Sequence, residues 1–353
     1  MRTSPRWRGS SEVRETRVLL VGFGVVSRSF AEIVEAEAAK LSEVYGLRPR
    51  IVGIADSKGV ASSPDGLDLG KAIASKKASG TLAGLGGTYT EGMSALEAVR
   101  EIDCEVVVEA TPSELTTGEP GLSHVRTAMT KGRHVICTNK GPLAVAMPAL
   151  MELATHNDVI FKFSGTVGGG TPVLDFAKKC LEGCDIHSVK GILNGTCNYI
   201  LTRMSNEEVE MSDALTDAQG LGYAEADPTY DVGGFDTACK LVITSNYILG
   251  TSLSISDVDT VGITDVTRAD IADARDRGEV VRLIGGVGDG GAAVRPESIP
   301  ATHPLNVSGT FNAITFDTDP AGEITLVGKG AGGRETASSV LRDLIEIRKD
   351  FAR

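Results

Sequence analysis

Cysteine is scarce in this chain of 353 residues: there are six, and no two form a Cys-x-x-Cys pair. With only five histidines besides, neither a disulfide framework nor a recognisable zinc ligand set can be assembled, and free thiols point to the cytosol. Positive charge is the minority sign. Thirty-five Lys and Arg stand against 47 Asp and Glu, a formal charge of −12, so nucleic acid or an anionic membrane would be bound against the average field, and neither is expected as a partner. No apolar run is long enough to span a bilayer. The N-terminal stretch MRTSPRWRGSSEVRETR is rich in arginine but lacks the apolar core of a signal peptide, and Glu12 and Glu15 speak against a transit peptide. Residues 1–16 therefore read as a flexible, solvated tail. The remainder, with 41% apolar and 23% charged residues overall, has globular composition and length enough for two domains.

Arg17 to Gly22 is a short apolar run ending in glycine, and a helical pattern from Ser27 to Val44 follows directly. Further apolar strands at Ile51–Ala55, Glu105–Glu109, His134–Thr138 and Val159–Phe163 alternate with helical patterns at Met93–Glu101, Gly121–Thr130 and Met147–Ala154. Strands alternating with helices predict an α/β fold with a doubly wound, parallel, Rossmann-type sheet. Gly66–Thr90, poor in large apolar residues, reads as a mobile excursion from it. The texture changes at Ser164–Gly170, SGTVGGG, and a helix at Pro172–Leu181, a strand at Ser188–Leu193 and a long helix at Phe235–Leu249 follow. The division expected is a dinucleotide-binding domain over 17–163, an α+β substrate and dimerisation domain over 164–327, and a C-terminal helical piece, 328–353, returning to the first domain.

Gly22 and Gly24 stand between a buried strand and a helix, where the first permits a tight turn and the second lets the backbone approach a pyrophosphate at the helix N-terminus. Ser27 replaces the third glycine of the fingerprint. Asp56, closing the second strand, is placed to accept from the adenosine ribose hydroxyls, whereas Lys58 is placed to neutralise a 2′-phosphate, so NAD and NADP both stay open. Thr111, Pro112 and Ser113 follow the third strand at the carboxyl edge of the sheet, where ligands bind, and Lys140 follows the next.

The segment AQGLGYAEADPTYDVGGFDTACK, 218–240, brings Glu225, Asp227, Asp231 and Asp236 close together in sequence and ends on Lys240. Asp236 and Lys240 share one face at i, i+4, yet the helix continues as Leu241, Val242 and Ile243 and reads as buried. A charged pair on a buried helix is costly unless it serves a site. Hydride transfer to a carbonyl needs a proton donor, which a carboxylate-held ammonium supplies, and neighbouring carboxylates suit a substrate ammonium group. An amino acid bearing a carbonyl or alcohol is the natural substrate class.

These residues resemble the homoserine dehydrogenase signature: Ala218, Gly222, Asp227, Pro228, Asp231, Gly234, Asp236 and Lys240 fall in that family's order and spacing. GFGVV at 22–26, ADSKG from Ala55, EATPSE from Glu109, TNKGP from Thr138, GTVGGG from Gly165, LNGTCNYIL from Leu193 and GKGAGG near the C-terminus extend the resemblance over nearly the whole chain from Arg17. It implies interconversion of L-aspartate 4-semialdehyde and L-homoserine with NAD(P)H, on the route to threonine and methionine, by a homodimer. It also implies Lys240 as proton donor, Lys140 as a second active-site lysine, and Glu225, Asp231, Asp236 and Gly222 around the substrate. Cofactor contacts would fall on Gly22, Phe23, Gly24, Val25, Val26, Asp56, Lys58, Thr111, Pro112, Ser113, Lys140, Gly222, Glu225 and Gly332. Relatives also hold a sodium ion through backbone carbonyls, mapping here to Ser164, Val167, Gly169 and Thr171, with Ser164 where many have an acid. A regulatory amino-acid-binding module is not expected. Two other readings compete: another amino-acid NAD(P) oxidoreductase of the same build, and a dinucleotide-sensing protein that turns nothing over.

Overall fold

The apolar run ending at Gly22 forms a strand, β1 (Arg14–Val21), in a computed structural model that describes residues 13–350. This corrects the expected tail: Arg14, Glu15 and Thr16 belong to the strand, Arg14 pairing in register with Leu47 and meeting Glu105 at 3.0 Å. Residues 1–12 lie outside the described part. After β1 the chain builds α1 (Val25–Ala36), α2 (Ala38–Tyr45) and β2 (Leu47–Ala55). The long helix expected over 27–44 is thus two helices. They break at Glu37, whose φ of −102° and ψ of 11° are not helical.

The segment read as an excursion is ordered, a second correction. After β3 (Gly59–Ser62) it holds α3 (Leu69–Ser79) and the start of β4 (Tyr89–Glu91), with Asp68 capping α3 through the Lys71 N–H and Leu69, Ala72, Ile73 and Leu82 buried. A few well-spaced apolar residues suffice there because α3 packs on α1. Then come α4 (Ala95–Glu101), β5 (Val106–Glu109), α5 (Gly121–Thr130), β6 (His134–Cys137), α6 (Lys140–His156) and β7 (Phe161–Lys162). α6 starts at Lys140 rather than at Met147. Pro142 is tolerated in the first turn, and the strain of Pro148 is taken up at Ala146, where φ is −141°.

The seven strands lie in the order β4-β3-β2-β1-β5-β6-β7. β2, β1, β5, β6 and β7 are parallel, and β3 and β4 add an antiparallel edge to the otherwise parallel doubly wound sheet. Val18, Leu20, Val106, Val108 and Ile136 pack with α1, α3 and the last helix in one apolar cluster, while Leu19, Val107 and Val135, on the alternate positions, are equally buried. The sheet is covered on both faces, as a parallel sheet requires. Strand order reverses between β1 and β5, so the loops after Val21 and Glu109 open at the switch point where such sheets take their ligands.

The second unit contains α7 (Val173–Cys180), β8 (Asp185–Ile192), α8 (Gly195–Glu207), α9 (Met211–Gly220), α10 (Thr229–Val232), α11 (Phe235–Thr244), β9 (Val258–Thr260), α12 (Arg268–Asp276), β10 (Glu279–Gly288), β11 (Gly291–Pro300), β12 (Phe311–Asp319) and β13 (Gly322–Lys329). Its sheet runs β13-β12-β8-β10-β11-β9, antiparallel except where β9 joins β11. Strand order and helices make this unit α+β. α11 is followed by a π turn at Ser245–Leu249, so the helix expected to reach Leu249 changes pitch after Thr244.

The two compact units are Met1–Thr166 with Thr336–Arg353, and Val167–Glu335, taken over their described residues. The first therefore runs past residue 163, because Ser164 is tied to Asp343 of the last helix, α13 (Gly333–Asp350). The second runs past 327, since β13 continues to Lys329.

Candidate active site

At the switch point of the first sheet, Gly22 has φ +88°, and a Cβ there would stand 2.6 Å from the Ala110 carbonyl oxygen. Only glycine fits both demands. Gly24 is the N-cap of α1, and the space where its Cβ would lie is open; the first turn of α1 carries no acid, and Val25 beside it is 60% exposed. An open backbone at a positive helix end is the cradle a pyrophosphate requires, so these residues fit a dinucleotide. Phe23 is buried and Val26 packs on the core. Ser27 is 1% exposed with an unpartnered hydroxyl, small enough for close packing in place of the third glycine.

Asp56 stands otherwise than the sequence suggests. Its Oδ1 accepts from the N–H of Lys58 at 2.8 Å and of Gly59 at 3.1 Å, and its Oδ2 receives the Lys76 ammonium at 2.9 Å. The side chain is only 2% exposed. Both oxygens of the acid expected to meet a ribose are thus engaged, and its charge is neutralised by Lys76, which gave no sequence signal because it sits in the stretch read as an excursion. Lys58 is exposed.

Thr111, Pro112 and Ser113 follow β5 beside the start of α6. Ser113 Oγ accepts from the Lys140 N–H at 2.9 Å, and Asn139 caps the helix through the Gly141 N–H at 2.9 Å. Lys140 occupies the first helical position, where the dipole disfavours a cation. Such placement is a cost that a functional ammonium, rather than a stability device, would carry.

In the second unit, Lys240 and Asp236 lie on buried α11, with Nζ 2.7 Å from Asp236 Oδ2 and 2.6 Å from the Leu193 carbonyl oxygen, to which it donates. Asn194 Nδ2 donates to Asp236 Oδ2 at 2.9 Å and to Asp231 Oδ1 at 2.6 Å, while Asn194 Oδ1 caps α8 through the Cys197 N–H. The structure thus gathers Asp231, Asp236 and Lys240. It does not gather Glu225 or Asp227: Glu225 is exposed and no hydrogen bond ties its carboxylate to the cluster, and Asp227 turns to the Thr229 N–H at 3.1 Å. Thr229's hydrogen bonds hold the Asp227 carboxyl below its ordinary range. Proximity in sequence misled because Pro228 and the short α10 turn the chain between Asp227 and Asp231. Gly222, with φ +74°, makes the turn after α9.

Two family models match the chain, one described as the NAD binding domain of homoserine dehydrogenase over residues 22–164 and one as homoserine dehydrogenase over 172–345. A homoserine dehydrogenase of Methanocaldococcus jannaschii is 43% identical over 94% of this chain and 98% of its own. The chain belongs to the homoserine dehydrogenase family. An NAD(+)-dependent homoserine dehydrogenase of Pseudomonas canavaninivorans is 37% identical over 96% of this chain and 98% of its own. Among solved structures, a putative homoserine dehydrogenase from Archaeoglobus fulgidus superposes with a TM-score of 0.87 at 41% identity, covering 94% of this chain and 99% of that one. A hyperthermophilic archaeal homoserine dehydrogenase in complex with NADPH superposes with a TM-score of 0.83 at 30% identity, covering 95% and 98%. The protein is an NAD(P)-dependent oxidoreductase with homoserine dehydrogenase activity on a small-molecule substrate.

Sequence reasoning passed over Asn194, although LNGTCNYIL helps mark a homoserine dehydrogenase; its bridging role depends on two carboxylates more than thirty positions away, which no local spacing reveals. Cys197 lies beside this cluster, but burial pushes its thiol well above the usual range, which removes it as a nucleophile. Ser164, the first of the residues expected around a sodium ion, donates through its N–H (3.1 Å) and hydroxyl (2.6 Å) to Asp343, a fully buried acid. Farther along, Val167 is buried, Gly169 has φ +55°, and Thr171's carbonyl accepts from the Val173 N–H at 2.8 Å. Gly332 has φ +129°, and a Cβ there would collide with the Glu335 carboxylate. Among the described residues, no three His, Cys, Asp or Glu side chains gather to hold a metal, and no helix is long and apolar enough to cross a membrane.

Proposed function

We propose that the enzyme interconverts L-homoserine and L-aspartate 4-semialdehyde with Lys240 as the proton donor and acceptor at the substrate oxygen. One observation carries this reading: Lys240 is 7% exposed, yet its ammonium is held by Asp236 and the Leu193 carbonyl. A buried ammonium with two acceptors and a third hydrogen free is positioned both to donate a proton and to stabilise a developing alkoxide. Asp231 and Asp236, joined through Asn194, supply the negative charge that suits the substrate's ammonium group, with Glu225 and Gly222 on the neighbouring turn.

A bound nicotinamide cofactor supplies or takes up the hydride. Gly22, Phe23, Gly24, Val25 and Val26 would hold its pyrophosphate, and Thr111, Pro112, Ser113 and Lys140 would line the sheet edge. For the adenosine end, the Lys76-neutralised Asp56 and exposed Lys58 support acceptance of NADP alongside NAD. The same reading includes a sodium ion on backbone oxygens of the turn bearing Ser164, Val167, Gly169 and Thr171, which the Asp343 charge beside Ser164 favours. It also includes a homodimer, a place in the cytosol, and a step on the route to threonine and methionine.

The decisive experiment is homoserine oxidation with NAD and with NADP, comparing Lys240→Ala and Lys140→Ala. Lys240→Ala is expected to lower kcat by roughly a hundredfold or more with cofactor affinity nearly unchanged. Near-normal kcat at saturation in Lys240→Ala, with activity abolished in Lys140→Ala, would transfer the proton-donor role to Lys140. Light scattering tests the dimer, a fully active monomer at micromolar concentration being the contrary result.

A further inference from the structure

Glu109 closes β5 and is 0% exposed in a strand otherwise made of valine. A lone carboxylate there would be expensive to bury; it persists only if its oxygens are fully engaged. They are. Oε1 accepts from the Thr111 N–H at 2.9 Å, from the Thr111 hydroxyl and from Asn139 Nδ2 at 3.3 Å, while Oε2 meets His124 Nδ1 at 2.8 Å. His124, on α5, is itself 3% exposed. Two of the partners lead to the sheet edge: Thr111 begins the loop that ends on Ser113, and Asn139 caps the helix on which Lys140 is the first residue.

Asn139 carries the connection onward. Its Nδ2 also donates to Thr111 Oγ1 at 3.1 Å and to the Pro112 carbonyl at 3.3 Å, and its Oδ1 accepts from the Gly141 N–H. The surroundings leave it no slack, since a Cβ on Gly121 would collide with the Asn139 amide and one on Gly141 with the Glu114 carbonyl. Two loops and the start of a helix are therefore referred to one buried carboxylate, and that carboxylate is oriented from behind by one imidazole.

We propose that Glu109, held by His124, is a positioning residue for the reaction: through Thr111 and Asn139 it sets the placement of the Thr111–Ser113 loop and of Lys140 at the carboxyl edge of the first sheet. Displacements of about 1 Å in such groups cost up to a hundredfold in rate, so a rigid anchor under both loops has a direct kinetic consequence. This rests on the reading that Lys140 and the loop serve the reaction. It assigns no proton transfer to Glu109 or His124.

The test compares Glu109→Ala, Glu109→Gln, Asn139→Asp and Lys140→Ala with the unaltered enzyme in homoserine oxidation, dinucleotide binding and thermal melting. Asn139→Asp keeps the oxygen that caps the Gly141 N–H but replaces the amide donors by a carboxylate facing Glu109, so it cuts the link with the helix start preserved. In Glu109→Ala and Asn139→Asp, kcat is expected to fall by roughly tenfold to a hundredfold and the dinucleotide Kd to rise, with KM for homoserine changing less than about threefold. Glu109→Gln, which retains an acceptor for Thr111 and Asn139, is expected to recover part of the lost rate. Should Glu109→Ala fail to fold, Asn139→Asp decides. A folded variant with a lower melting temperature but unaltered kcat and Kd, beside an impaired Lys140→Ala, would overturn the positioning role. If Lys140→Ala is equally indifferent, the reading of the sheet edge falls, and the inference with it.

Discussion

The amide nitrogen of Asn194 donates to Asp236 at 2.9 Å, on the same oxygen that receives the Lys240 ammonium at 2.7 Å. Asp236 is thereby gripped from two sides, and Asn194, which also binds Asp231, sets the separation of the two acids. Asn194→Asp preserves the α8 cap but places a third carboxylate against the pair. Steady-state kinetics are expected to show kcat/KM lowered by roughly tenfold to a hundredfold with the melting transition still cooperative. Unchanged kcat/KM would remove Asn194 from the working site.

The open space at Gly24 gives a second expectation. Gly24→Val introduces a β-branched side chain at the α1 N-terminus without a clash inside the protein, because no atom lies within 4 Å of a Cβ there. The fold should survive while dinucleotide binding weakens by roughly tenfold or more. Calorimetric titration giving an unchanged Kd in the folded variant would take this turn out of the cofactor site.

Lys76 is expected to govern cofactor choice. In Lys76→Met the carboxylate of Asp56 loses its ammonium partner, and the recovered negative charge repels a 2′-phosphate. The ratio of kcat/KM with NADP to that with NAD should fall on the order of tenfold. A ratio that does not move shows that Asp56 is too far from the adenosine end to matter.

A pH effect follows from His134, whose Nδ1 accepts the Ile160 N–H at 2.9 Å. Burial, then the nearby Arg14 charge, lowers its pKa. The folded protein binds this proton less readily than the unfolded chain, so the stability that His134 contributes is present above the ordinary imidazole range and is lost as pH falls through it towards the lowered folded value. Asn at this position offers a non-titrating acceptor. The drop in melting temperature between about pH 7.5 and about pH 5.5 should therefore be smaller in His134→Asn; an equal drop in both proteins assigns the acid sensitivity elsewhere.

Local patterns carried the parts of the molecule that local physics determines. The strand-turn-helix at Gly22 and the i, i+4 pair on α11 are short-range facts, and the structure has Asp236 and Lys240 in contact. What escaped is what the fold brings from a distance or hides under a misleading composition. Lys76 and Asp56 are twenty positions apart, and α3, which carries Lys76, shows few apolar residues because its single buried stripe needs only three. The first half of α6 was masked by Pro142 and Pro148, both breakers in isolation. Glu109 closes an apolar strand like any solvated strand end, and nothing near it in sequence announces His124 as its partner.

The pairing of α13 with the first sheet has a consequence for synthesis. Ala337, Val340, Leu344 and Ile347 belong to the same apolar cluster as Val18 and Leu20, so the interior begun by β1 stays open until a helix more than three hundred residues later has been made. The intervening unit, Val167–Glu335, is continuous and leaves the ribosome whole while its predecessor still lacks one wall. Stalling or truncation before α13 would therefore release a chain with a finished second unit and an unsealed first unit, whose bare apolar face is the surface a chaperone or protease would read.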